Sequence, residues 1–235
     1  ERLSEENRKL RLEKAALENL RRVESIAGQD LGLAAPAPER SLVLEGERPR
    51  AGDVRCAVLS DGPAHRRRRT RDLLVSALRG ARDEVRLVSP YFAPGRNVLE
   101  VIAEASARGV RVPLLLAGER TDHPSLRRAA RAVLPKLLEA GVRVHEYDAE
   151  MMHAKLACFD QSWGIVGSSN LDRQSFEHSY EVNLVLDDPG VAKRLRDQID
   201  ADLSRARAVD LDALSRRGIF ERLVDRVAAI LLRWV

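Results

Sequence analysis

Apolar positions along the chain alternate between dense short runs and spaced stripes. Val85–Val88 and Val110–Leu116 are runs bounded by turn residues, the pattern of buried strands. Asp72–Arg79 carries Leu73, Leu74, Ala77 and Leu78 at helical spacing, and Asn97–Arg108 and Ser125–Ala140 repeat the stripe. Gly109 and Gly141 stand where such helices end, and Pro135 predicts a kink or a break in the third. With strands at Val54–Leu59 and Val142–His145, the order is strand, helix, strand, helix, strand. The expected fold class is α/β, a layered sheet flanked by helices.

After Tyr147 the rhythm changes. Ala154–Phe159 and Gly164–Val166 read as short strands joined by a turn at Asp160–Trp163, and Glu181–Leu186 as one more. Helices are expected over Gly190–Leu203 and Ile219–Trp234. The last carries Ile219, Phe220, Leu223, Val224, Val227, Ile230 and Leu231. Burial against the sheet is its simplest reading; the alternative is an interfacial helix whose Arg222, Arg226 and Arg233 meet lipid phosphates. At the other end, residues 1–27 form a charged helical arm. Leu3, Leu10 and Leu17 recur every seven residues, which fits a short coiled coil or an amphipathic helix packed on its own domain. Residues 28–53 are a Pro- and Gly-rich linker with a weak strand at Ser41–Leu44, and the compact domain is expected over 54–235.

Composition narrows this little. With 44% hydrophobic and 32% charged residues among 235, the chain forms a core rather than a disordered ensemble. A net charge of +4 does not announce a nucleic-acid binder. Cys56 and Cys158 are far apart and match no zinc spacing. No apolar stretch approaches the roughly 20 residues that span a bilayer, and no signal peptide is recognisable. The chain begins at Glu1, so it reads as a fragment whose membrane anchor, if any, lies outside it.

Chemistry concentrates in His153, Lys155 and Asp160, followed by Gly167, Ser168 and Asn170: His-x-Lys-x4-Asp-x6-Gly-Ser-x-Asn. On a strand His153 and Lys155 share one face, with Ala154, Leu156 and Cys158 on the apolar one. His153 is suited to attack phosphorus or to protonate a leaving oxygen. Lys155 supplies charge to phosphoryl oxygens, and Asn170, Ser168 and N–H groups near Gly167 supply hydrogen bonds. Glu181 is suited to hold a histidine ring nitrogen, and Asp160 to orient the strand turn. No dense ligand set calls for a metal, and no cofactor is expected. The bland alternative is an inactive domain that retains the scaffold.

From about Val54 onward the chain resembles the phospholipase D superfamily, most closely the carboxy-terminal half of bacterial cardiolipin synthases. His153, Lys155, Asp160, Gly167, Ser168, Asn170 and Glu181 match its HKD motif and extension; Pro90–Pro94, Asp122–His123 and Asn170–Asp172 with Ser175 and Phe176 fall in familiar places. Gln174 stands where those synthases usually carry arginine. The resemblance implies phosphatidyl transfer through phosphohistidine, with cardiolipin formed from phosphatidylglycerol, and places Tyr91, His123 and Gly167 at the substrate. His123 also reads as a surface or helix-capping residue. The resemblance further implies an anionic phospholipid substrate and peripheral attachment at the cytoplasmic face of a bacterial membrane. Such sites are built from two HKD motifs and this chain shows one, so the second histidine is expected from an upstream half or from a twin subunit. A phospholipase D-type hydrolase, a single-motif nuclease homodimer and a non-enzymatic lipid-binding scaffold are the alternatives. Arg66–Arg69 fits either phosphate contact or a solvated loop, but sparse aromatic–basic interleaving disfavours nucleic acid.

Overall fold

A computed structural model describes residues 54–63 and 68–231. The expected amino-terminal helix, the linker, Arg66, Arg67 and Trp234 lie outside the described residues. The elements are β1 (Arg55–Asp61), α1 (Arg69–Gly80), β2 (Val85–Ser89), β3 (Phe92–Ala93), α2 (Arg96–Ala107), β4 (Pro113–Ala117), α3 (Pro124–Glu139), β5 (Arg143–Tyr147), β6 (Leu156–Phe159), β7 (Trp163–Gly167), β8 (Leu171–Asp172), a π-helical turn (Gln174–His178), β9 (Glu181–Asp187), α4 (Pro189–Ser204), β10 (Ala206–Ala208), α5 (Leu211–Ser215) and α6 (Ile219–Leu231). Helix α3 runs through Pro135 without dividing.

Eight strands form one mixed sheet in the order β1-β9-β7-β6-β2-β4-β5-β10. Strands β2, β4 and β5 are parallel, joined by helical crossovers, and the others pair antiparallel. Alternation along the strands divides the core in two. Leu87, Leu114, Leu116, Ala157 and Phe159 face the larger cluster with α1, α2 and α3 (Leu78, Ile102, Leu134). Val88, Leu115, Ala117 and Cys158 face the smaller one with Ile199 of α4. Ala154 and Leu156 pack on that second cluster, as the sequence predicts. Arg86 ties β2 to α4 by donating to Asp200 and to the Arg196 carbonyl.

Polar groups fix the edges. Asp61, at the end of edge strand β1, accepts the backbone N–H of Arg69 (2.8 Å) and Thr70 (2.9 Å) and so starts α1. Glu146 of β5 is buried and accepts from Arg127 (2.9 Å), Arg131 (3.4 Å) and Arg207 (2.9 Å), joining α3 and β10 to the sheet.

Helix α6 differs from expectation. It packs on α3, but its inward residue is Asp225, 2% exposed, which accepts from Arg217 at 2.5 Å and lies 3.7 Å from Arg128. Of the apolar residues assigned to the core, Val224 is half-buried and the other six face outward, with Ile219 79% and Phe220 77% exposed. The short pairs β3–β8 and β5–β10 and helix α5 were also not expected; two or three residues are too few to show a period.

Asp160 sits in the β6–β7 turn, where it and Gln161 adopt left-handed φ values of 43° and 60°. Its carboxylate accepts the N–H groups of Arg82 (2.9 Å), Asp83 (2.8 Å) and Glu84 (3.1 Å), clamping the hairpin to the α1–β2 loop. Burial opposes its charge, but the N–H groups of Asp83, Glu84 and Arg82 outweigh burial and hold the carboxyl below its ordinary range. Asp160→Ala is expected to cost about 1–2 kcal/mol by leaving those donors unpaired, read as a lower melting temperature. A depressed carboxyl stabilises above its unfolded pKa and loses that contribution as pH falls through the folded value. The gap between wild type and variant is therefore expected to close in strong acid.

Candidate active site

The carboxyl ends of β2, β4 and β5 and the amino ends of the antiparallel β6 and β9 meet along one edge of the sheet. Such an edge of an α/β sheet is where ligands are bound. His153, Lys155, Ser168, Asn170, Glu181, Tyr91 and His123 gather here. Asp160 does not: it lies at the opposite end of β6, about 15 Å from Lys155 at strand rise. In sequence the motif is continuous; in space its aspartate is an anchor.

His153 and Lys155 precede β6 rather than lie in it. The ladder stops there because its partner β2 turns away at Ser89–Pro90, and proline has no N–H to continue it. Ser89, fully buried, donates to the Tyr91 carbonyl (2.7 Å) and accepts the Leu171 N–H (2.9 Å). Together with the β3–β8 pair, this bolts the Pro90–Pro94 turn to the segment after Asn170. The Tyr91 ring meets the His153 ring edge-on, centroids 5.9 Å apart, and the His123 ring at 5.0 Å. The His123 backbone starts α3 ahead of Pro124, and its ring flanks Tyr91 at the rim. Tyr91 donates to Asp122 at 2.6 Å. Burial, then that bond, hold the phenol well above its ordinary pKa, so it stays protonated.

Below this aromatic rim lies a buried polar layer. Lys155 is 8% exposed and donates to the His153 carbonyl at 2.7 Å. Burial lowers its pKa to about 8, against the pull of Glu181, Asp172 and Asp122. Glu181 and Asp172 are buried too, and burial raises both. Hydrogen bonds from Ser168 and Ser175 and the charge of Lys155 restrain the rise at Glu181; Ser175, Lys155 and His123 restrain it at Asp172. Asp172 accepts the Ser175 N–H at 2.7 Å, and the Ser175 hydroxyl accepts from Asn170 (3.1 Å from its backbone nitrogen and 3.3 Å from Nδ2).

The expected role of Ser168 and of the backbone near Gly167 needs correction. The Ser168 hydroxyl donates to Glu181 and accepts the Val182 N–H. The N–H groups of Gly167, Ser168 and Ser169 go to the Lys155 carbonyl, the Val182 carbonyl and Asn183. These donors hold the loop. Among the described residues, Lys155 Nζ and Asn170 Nδ2 each make one such bond and keep further donor capacity. Gly167 likewise serves packing. A Cβ there would lie 2.2 Å from Asn183 Oδ1 and 2.6 Å from the Val182 carbonyl oxygen, so only glycine admits β9 this close. Asn183 itself escaped the sequence reading. Buried, it donates to Thr70 (3.0 Å) and Ser169 (2.8 Å), linking the loop to Asp61 and the start of α1. Its signal was present: it lies two residues after Glu181 and so shares its face.

Residues 74–203, over half of the chain, match the family described as "Cardiolipin synthase, PLD-like domain". The chain belongs to the phospholipase D-like family. Among curated relatives of this phospholipase D-like chain is cardiolipin synthase A of Yersinia pseudotuberculosis, 30% identical over 170 residues. That alignment covers 72% of this chain and 35% of the relative, so the matched region is about a third of the synthase's length. Solved structures share the fold at low identity. Nuc of Salmonella typhimurium, a phospholipase D family member, has TM-score 0.57 at 18% identity, covering 67% of this chain and 99% of Nuc. Phosphatidylserine synthase of Haemophilus influenzae has TM-score 0.61 at 14% identity, covering 75% and 46%. NucT of Helicobacter pylori has TM-score 0.51 at 17% identity, covering 67% and 100%.

Gly167→Ala is expected to destabilise the domain by about 1–3 kcal/mol, the cost of overpacking. Thermal unfolding checks it, together with loss of the Ser169–Asn183 contact in a crystal structure of the variant.

Proposed function

We propose that this phospholipase D-like domain transfers phosphatidyl groups through a phosphohistidine, and that the product is cardiolipin made from two phosphatidylglycerol molecules. One observation carries the reading: the His153 ring stands against Tyr91, and the buried Lys155 ammonium, acted on by the buried carboxyls of Glu181 and Asp172, donates to the His153 carbonyl. The lipid substrate is supported by the 30% identity to cardiolipin synthase A.

Two imidazoles share the work. In the first step a ring nitrogen of one attacks phosphorus, the bond to the glycerol oxygen breaks, and the second imidazolium protonates that oxygen. In the second step the acceptor hydroxyl returns its proton to the second imidazole and attacks, and the phosphorus–nitrogen bond breaks. Phosphatidylglycerol as acceptor gives cardiolipin; water gives phosphatidic acid. His153 is one of the pair. If an upstream half supplies the nucleophile, His153 is the acid; in a homodimer it serves as both across the two-fold axis. Lys155 and Asn170 hold the non-bridging oxygens. Such preorganised donors contribute about 10²–10³-fold each, and alignment of the two lipids contributes several kcal/mol more. Glu181 and Ser168 position the floor of the site. Asp172 and Ser175 do the same for Asn170.

A second reading has one observation in its favour. The fold covers 99–100% of Nuc and NucT, so a domain of this extent makes a whole protein elsewhere. On that reading the chain is a hydrolase or nuclease that pairs with its own copy.

Phosphatidylglycerol vesicles incubated with the protein are expected to yield cardiolipin and glycerol, measured by mass spectrometry. DNA cleavage without lipid turnover reverses the choice. His153→Ala is expected to lower the rate by about 10²–10⁴-fold or more; an unchanged rate defeats the assignment. The Lys155 ammonium exists below its pKa of about 8 and is lost above it. Accordingly kcat/KM is expected to fall on the alkaline side with a midpoint near that value, and Lys155→Gln to remove the limb along with most of the activity.

A further inference from the structure

Helix α6 is amphipathic in an inverted sense: Asp225 is buried and its large apolar residues are outside. At 100° per residue, Ile219, Ile230, Leu223, Val227, Phe220 and Leu231 fall within an arc of about 120°. All six are exposed, from 46% at Val227 to 79% at Ile219. Arg222 and Arg226 border that arc and are exposed as well. Glu221 is turned toward Arg217, 3.7 Å away, and Asp225 is buried against α3, so no carboxylate of the helix shares the outward face.

We propose that this outward face of α6 is a docking surface for an anionic phospholipid bilayer. The fit is chemical. An exposed apolar arc of mixed side chains suits a fluid apolar phase, and arginines at its border suit the depth of lipid phosphates. Position agrees. Asp225, mid-helix, meets Arg128 of α3, five residues and about 7.5 Å along that helix from His123. His123 borders Tyr91, which borders His153. The apolar face is thereby fixed to the same helix end that forms the rim of the site. The proposal extends the lipid reading from substrate to surface and rests on that reading only for its purpose. The salt bridges from Asp225 make the helix a fixed part of the domain, so the surface stands ready without folding on contact.

The test is co-flotation of the full chain with vesicles. Wild type is expected to float with mixed phosphatidylglycerol–phosphatidylcholine vesicles and far less with phosphatidylcholine alone. The Phe220→Glu, Val227→Glu double variant is expected to lower partitioning about tenfold or more, with its melting temperature unchanged because both positions are exposed. The Arg222→Gln, Arg226→Gln double variant is expected to lose the preference for the anionic vesicles. Failure of the wild type to float, or flotation equal to wild type in both variants, overturns the proposal. A fall in sedimenting mass in the Phe220→Glu, Val227→Glu variant with lipid binding intact assigns the face to a second copy instead. His153→Ala is expected to float as wild type does, which separates docking from catalysis.

Discussion

A buried ammonium facing two buried carboxylates is the constraint on which the site depends. Lys155, Glu181 and Asp172 are each taken out of water, and each alone is a costly group to bury. Together they restrain one another, and Ser168, Ser175 and the His153 carbonyl fill much of the remaining hydrogen-bonding capacity. The balance is incomplete by design of the geometry. Burial still holds Lys155 at about 8 and both carboxyls above their usual range. On the proposed reading, an incoming phosphate oxygen would meet an ammonium that is poorly solvated and gains from a new anionic partner.

That layer needs a rigid frame, and the frame is the sheet edge. Gly167 lets β9 approach until Asn183 reaches Ser169 and Thr70, and Asp61 ties the same chain of contacts to the edge strand. Ser89 and the two-residue β3–β8 pair bring the Tyr91 turn over the top. Few of these contacts involve a reacting group. They convert residues from five separate segments into one surface with spacing fixed by the backbone.

Much of this was readable in the chain. Helix stripes and strand runs placed most elements within a few residues, and the spacing of His153, Lys155, Gly167 and Asn170 pointed to the cluster at the ends of β2 and β6. What escaped shares a physical cause: inversion of the usual polarity. Along β9 Glu181 and Asn183 are buried, as Leu186 is, whereas Val182 is exposed. In α6 the buried position is Asp225 and the apolar arc faces out. A rule that sends apolar residues inward misreads both. The hydroxyl of Ser168 was misread for a different reason. Its type suited a phosphate, but only the fold shows that Glu181 already takes its proton.

The placement of Asp160 turns the motif's own spacing into a measurement. Four residues separate Lys155 from Asp160, and four residues are the length of β6. One end of that strand carries the reactive groups; the other grips the α1–β2 loop through three amides. The interval is thus a ruler cut to the width of the sheet. Lengthening it by a single residue would leave the grip in place and turn the lysine to the opposite face of the sheet, away from the carboxylates that keep it charged.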